Sequence, residues 1–216
     1  MRDKHPPMIT RRLLLLGLAF AANTPALAAP MTDRRRIVTI LGDSITAGRG
    51  LPAAQALPAQ LEAELTRLGA PARVRGAGVS GDTSGGGLAR VDFSVQADTD
   101  VCVVALGGND LLQGLDPKAM RGNLDRIIAR LEARHIGVVL AGLRPPPVLG
   151  PSYAREFAAV FPALARAHKA PLYPDLMAGI GPALRQRDGL HPNAQGAALI
   201  ARGLAPVVAR GLAARR

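Results

Sequence analysis

A serine hydroxyl becomes a useful nucleophile only when an imidazole can take its proton, and that imidazole needs a partner to fix its tautomer. The chain has four histidines, and elimination leaves one for this task. His5 falls in the leader-like N-terminus. His135 and His168 sit at the C-termini of predicted helices, where a histidine often only complements the helix dipole. His191 remains, three residues after Asp188 in the segment Asp188-Gly189-Leu190-His191-Pro192-Asn193, where a short loop can turn the carboxylate onto Nδ1. Ser44, in Gly42-Asp43-Ser44-Ile45-Thr46, is the candidate nucleophile, with His191 as base and Asp188 orienting it.

Attack on a carbonyl creates an oxyanion, which needs hydrogen-bond donors aimed at it; removing one such donor typically costs ~3 kcal/mol of barrier lowering. The available donors are the backbone N–H groups of Ser44 and Gly81 and the side-chain amide of Asn109, in Ser80-Gly81-Asp82-Thr83-Ser84 and Gly107-Gly108-Asn109-Asp110. Gly81 lacks a Cβ and lets its backbone approach a substrate closely. Each motif alone is a common turn or cap. Their joint occurrence, in this order, makes acyl transfer the economical reading.

The elements that must hold these residues can be read from periodicity. Ile37–Leu41, Ala72–Val79, Val101–Leu106 and Gly137–Gly142 read as strands, with Pro171–Tyr173 a weak fifth. Helical spacing covers residues 51–68, 88–95, 117–133, 153–168 and 194–210, and Gly81–Gly87 reads as a glycine-rich loop. Strand and helix alternate throughout, which implies an α/β fold with a parallel sheet covered on both faces, because parallel strands need crossover connections. In such sheets the functional crevice lies beyond the carboxyl ends of the strands. Three of the four motifs directly follow strands, and the fourth precedes the last helix and can reach the same rim.

At this point the chain resembles the GDSL esterases, or SGNH hydrolases, and among them the small bacterial thioesterase I, lysophospholipase and arylesterase group. The resemblance spans most of residues 29–216 and all four motif blocks. It assigns the signature serine to Ser44, the oxyanion glycine to Gly81, the oxyanion asparagine to Asn109 and the acid and base to Asp188 and His191. It implies a flavodoxin-like three-layer α/β/α sandwich with a parallel sheet of about five strands, no metal and no cofactor. The implied substrates are lysophospholipids, aryl esters, short to medium acyl esters and acyl thioesters. Loops after the asparagine motif and after the fourth strand border the acyl site in that group, which makes Leu111, Leu112, Val148 and Tyr153 candidate substrate contacts. The three prolines at 145–147 read equally as a stiffened lid and as a rigid surface turn.

Arg2, Lys4, Arg11 and Arg12 precede the apolar run 13–22, and Ala26-Leu27-Ala28 suits signal peptidase, so residues 1–28 read as a cleavable leader and 29–216 as the mature domain, periplasmic or secreted. Thr10-Arg11-Arg12-Leu13-Leu14 fits a twin-arginine signal as well as an ordinary basic leader. The run is too short for a membrane span, no later segment approaches that length uninterrupted, and no stable membrane anchor is expected. The lone Cys102 excludes an internal disulfide and, inside an apolar run, reads as an inert buried thiol. Net charge is +11, or +8 once the four basic and one acidic residues of 1–28 are removed. Dispersed arginines and few aromatic residues favour solvated arginine faces over nucleic-acid binding.

Three rival readings stand beside the esterase. A phosphate-binding module would use Gly81–Gly87, although no P-loop lysine follows. A metal-dependent phosphoesterase would use Asp43, Asp82 and Asp110 as ligands. A silent binding protein would leave an intact catalytic set idle. No Gly-x-Ser-x-Gly occurs, so an ordinary α/β-hydrolase elbow is not indicated.

Overall fold

Strand β1 (Arg36–Gly42) is apolar nearly throughout because both of its faces are covered, the usual condition of a central parallel strand. Val38 and Ile40 enter one hydrophobic cluster and Leu41 the other. The same alternation splits β3 (Val101–Ala105) into Val101, Val103 and Ala105 against Cys102 and Val104. In β4 (Gly137–Ala141) it separates Val139 and Ala141 from Val138 and Leu140. With β2 (Ala72–Gly78) and β5 (Leu172–Tyr173) these strands form an all-parallel sheet in the order β2-β1-β3-β4-β5. The computed structural model describes Met1 and residues 35–214, and the latter belong to one compact unit. The leader and twin-arginine readings lie outside the described residues.

Helices α2 (Leu57–Arg67) and α7 (Ala194–Ala213) cover one face of the sheet through Leu57, Leu61, Leu65, Ile200, Leu204 and Val208. Helices α3 (Ser84–Ser94), α5 (Pro117–Ala133) and α6 (Pro151–Ala167) cover the other through Val91, Leu124, Ile128, Phe157 and Phe161. This is the expected three-layer α/β/α sandwich. Two four- or five-residue helices, α1 (Ser44–Ala47) and α4 (Gly108–Leu112), stand directly after β1 and β3. Strand order reverses between those two strands, so both open onto the switch-point crevice.

Three local readings change. Helix α3 begins at Ser84 rather than Leu88: Thr83 caps it by accepting from the N–H of Gly86, and Gly87 packs so tightly that an added Cβ would lie 2.2 Å from Leu106 Cδ1. The glycines at 85–87 are therefore a helical turn against the sheet, not a loop. The helix read over 51–68 divides into a 3-10 turn at Ala53–Gln55 and α2, which starts where Pro58 can occupy an early helical position. Helix α7 runs three residues beyond the expected Arg210. It is long and apolar enough to cross a membrane by length and composition, but its apolar stripe is spent on the core of this domain.

Candidate active site

The carboxyl end of β1 turns sharply at Asp43, whose Oδ1 accepts from the N–H of Ile45 at 3.0 Å while its carbonyl accepts from Ala47 at 2.9 Å. The turn lies directly on the neighbouring strand. A Cβ at Gly78 would stand 2.3 Å from the Ala47 nitrogen and 2.6 Å from the Asp43 carbonyl oxygen, so only glycine allows β2 to pass beneath it. This geometry holds Ser44 at the mouth of the crevice with 8% of its surface exposed.

Ser44 Oγ lies 2.8 Å from His191 Nε2, and His191 Nδ1 lies 2.6 Å from Asp188 Oδ2. The other carboxylate oxygen of Asp188 accepts from the backbone N–H groups of Leu190 and His191 at 2.9 and 3.0 Å. The ring hydrogen bond, followed by these two N–H groups, holds the Asp188 carboxyl well below the usual carboxylate range. With that carboxylate ionised, Nδ1 carries the proton and the lone pair of Nε2 faces the Ser44 hydroxyl. The arrangement can draw a proton from Ser44 as a new bond forms at Oγ.

The loop carrying Asp188 and His191 is itself tied down. Gln186 donates its side-chain amide to the carbonyls of Arg49, at 2.7 Å, and Pro192, at 3.0 Å, and its backbone N–H to the carbonyl of His191. One residue thus joins the histidine loop to the stretch following α1. Asn193 caps α7 by accepting from Gly196 N–H, which fixes the loop's exit.

Gly81 and Asn109 complete the crevice. Gly81 has φ +88°, and nothing lies within 4 Å of the position a Cβ would take. Glycine suits this left-handed backbone conformation, which L side chains rarely adopt. Asn109 Nδ2 donates to the carbonyl of Asp82 at 2.8 Å and lies 3.5 Å from Asp43 Oδ2, so its amide touches both of the other motifs. Asp43 is almost fully buried, and that burial raises its carboxyl above the ordinary value despite the Ile45 N–H bond.

One residue central to this frame lies outside every sequence motif. Arg90, on α3, donates to Asp82 Oδ2 at 2.6 Å, to the Gly42 carbonyl at 2.8 Å, to the Ala77 carbonyl at 2.9 Å and to Ser94 Oγ at 3.1 Å. One guanidinium therefore joins the end of β1, the end of β2 and the loop holding Gly81. Asp110 accepts from both the N–H and the hydroxyl of Ser84, at 2.7 and 2.6 Å, which links the start of α3 to α4. Asp43, Asp82 and Asp110 are each committed to such partners, and no cluster suited to a metal ion occurs among the described residues.

The four candidate substrate contacts divide. Leu112 and Val148 are exposed, at 61% and 85%. Leu111 and Tyr153 pack against the α5 and α6 side of the core, with the Tyr153 hydroxyl donating to the Leu115 carbonyl at 3.0 Å and its ring stacked on Phe157. The proline segment is extended at Pro146 and forms a 3-10 turn at Pro147–Leu149 before entering α6. Cys102 is fully buried in the sheet, and burial pushes its thiol up to about 12.

Residues 40–199 match the model of the GDSL-like lipase/acylhydrolase family. The chain belongs to that family. Esterase TesA of Pseudomonas aeruginosa is 38% identical over 84% of this chain and 90% of its own length, and the arylesterase of Vibrio mimicus is 32% identical over 93% and 99%. Among solved structures, the SGNH-hydrolase family esterase AlinE4 is 41% identical with a TM-score of 0.69, covering 82% of this chain and 97% of its own. The psychrotrophic esterase EstA from Pseudoalteromonas sp., inhibited by monoethylphosphonate, is 29% identical with a TM-score of 0.76, covering 82% and 99%. The chain is a GDSL serine esterase, a carboxylic ester hydrolase that acts on small-molecule esters.

Proposed function

We propose that Ser44 is the nucleophile, His191 the general base and acid, and Asp188 the residue that orients His191. Ser44 Oγ attacks the ester carbonyl carbon while His191 Nε2 takes its proton. The oxyanion is met by the backbone N–H groups of Ser44 and Gly81 and by Asn109 Nδ2. The tetrahedral intermediate collapses as His191 returns the proton to the departing alkoxide, leaving an acyl ester on Ser44. Water, deprotonated by His191, then repeats the sequence and releases the acid. The observation that carries the reading is the unbroken chain from Ser44 Oγ through His191 to Asp188, with contacts of 2.8 and 2.6 Å.

The substrates in this reading are lysophospholipids, aryl esters, short to medium acyl esters and acyl thioesters, with Leu111, Leu112, Val148 and Tyr153 bordering the acyl chain. Residues 1–28 act as a cleavable export leader, and the domain of residues 29–216 works in the periplasm or outside the cell. No metal or cofactor takes part. The test is hydrolysis of p-nitrophenyl esters from acetate to palmitate by the protein and by Ser44→Ala, with and without EDTA. Turnover that vanishes in the variant and ignores EDTA supports the mechanism, and the chain-length profile sizes the acyl site. Full activity in Ser44→Ala refutes it.

A further inference from the structure

The large apolar side chains left exposed on this domain are not evenly spread. In a parallel sheet all strands end on the same edge, and the helices between them run back to the opposite edge. Val79 follows β2, Leu112 and Leu115 follow β3 by way of α4, Val148 and Leu149 follow β4, and Leu190 sits between Asp188 and His191. All six are exposed. Only Leu68 and Phe93, among exposed large apolar side chains in residues 35–214, lie at the helix C-termini on the far edge. Exposed apolar side chains shared by one edge are the raw material for a surface that meets another apolar phase.

Exposed arginines are prominent on the same edge. Arg49 after α1, Arg144 after β4 and Arg187 beside Asp188 are exposed and make no ion pair among the described residues. Of the carboxylates there, Asp82 pairs with Arg90, Asp110 is buried against Ser84 and Asp188 holds His191, while Asp116 and Asp175 accept from the backbone N–H groups of Lys118 and Met177. Apolar side chains that can enter an acyl layer, ringed by arginines free to meet anionic headgroups, fit the general design of a reversible interfacial binder.

We propose that the catalytic edge docks on anionic lipid surfaces, with Leu112 and Val148 as the principal inserting residues and Arg144 and Arg187 supplying the attraction. The proposal builds on the lipid-ester reading of the same site. It gives a route for a substrate whose acyl chain is sparingly soluble: the ester passes from the aggregate into the crevice beside Ser44 without crossing bulk water. The polar edge arginines also make attachment reversible, because their contribution weakens as salt screens it.

The experiment is co-sedimentation of leader-free protein, recovered from an exporting host, with vesicles of phosphatidylcholine alone and with 30% phosphatidylglycerol. About fivefold in partitioning per arginine near an anionic surface predicts at least a tenfold preference for the anionic vesicles, declining in 0.5 M salt. Arg144→Glu with Arg187→Glu removes that preference. Leu112→Ser with Val148→Ser lowers binding to both vesicles about tenfold or more, with thermal unfolding verifying the fold. Phe93→Ser, 89% exposed on the far edge, leaves binding and turnover unchanged.

Binding that is absent, indifferent to the anionic lipid, or weakened equally by Phe93→Ser overturns the proposal. So does a concentration-dependent dimer that buries the edge without lipid. Because sedimentation needs no turnover, a protein that cleaves p-nitrophenyl esters through Ser44 yet ignores vesicles refutes the docking alone. Vesicle binding by a protein whose turnover survives Ser44→Ala refutes the mechanism alone.

Discussion

Arg90→Met removes a guanidinium that joins three of the segments forming the crevice, while keeping most of the apolar stem. Four hydrogen bonds are lost, and Asp82 is left without its cationic partner. Breaking a buried ion pair by removing one member costs about 3–5 kcal/mol. Here the two side chains keep 18% and 17% of their exposure, so water can partly replace the missing donor. A loss of about 2–3 kcal/mol follows, which lowers Tm by roughly 5–10 °C for a domain of this size.

Under the proposed mechanism, in which Asn109 is an oxyanion donor, the catalytic effect arises through Asp82, whose carbonyl holds the Asn109 amide at 2.8 Å. Losing a whole oxyanion donor costs about 10²–10³ in kcat, and a donor left in place but poorly aimed should cost about tenfold to a hundredfold. Steady-state hydrolysis of p-nitrophenyl butyrate should show that loss in kcat with KM little changed, well below the Tm of the variant. In an Asn109→Ala background the same substitution should cost much less, because the group it positions is gone. Unchanged kcat beside a lowered Tm would reduce Arg90 to a structural tie. Full multiplication of the two kcat losses would refute its action through Asn109.

Three further outcomes follow from the packing and protonation of the domain. Gly78→Ala should lower stability by about 1–3 kcal/mol and depress kcat, since its methyl group must displace the Asp43–Ala47 backbone that carries Ser44; wild-type Tm and kcat would contradict the stated contact. At the C-terminus of α6, burial opposes charging of His168, but the Asp125 and Glu132 carboxylates at 2.9 and 3.0 Å outweigh it and raise its titration point. That contribution is complete below the ordinary imidazole value and is lost as pH rises through the raised one, so the Tm gap to His168→Gln should be wider in acid than in alkaline solution, and a gap that does not narrow as pH rises would contradict the raised titration point. Cys102, with its thiol pushed up to about 12, should resist Ellman's reagent in the folded protein and react in guanidinium; fast labelling of folded protein would count against a buried thiol.

How much of this was legible in the chain depends on the range of the interaction. The strands at 37–41, 101–106 and 137–142 were readable within a residue because burial on both faces leaves a continuous apolar run, a purely local signal. Asp188 and His191, three residues apart, also form a local unit. The start of α3 was misread because Gly85, Gly86 and Gly87 argue against a helix, and only contact with Leu106 explains why Gly87 must be small. Arg90 and Gln186 were silent for the same reason. Their partners at Gly42 and Arg49 lie 48 and 137 positions away.

Sequence by itself determined the alternation of elements, and with it a parallel sheet whose strand ends share one edge; it also supplied the residue types that an acyl-transfer site needs. Tertiary structure decided that Ser44 Oγ and His191 Nε2, 147 residues apart, meet at 2.8 Å. It also decided that Arg90 ties the ends of β1 and β2 to the Gly81 loop, and that most of the exposed leucines and valines lie on the edge where the strands end. The division is physical. Periodicity and capping act over a few neighbouring residues and leave their trace in the chain, whereas a hydrogen bond between distant segments depends on how the layers pack and leaves none.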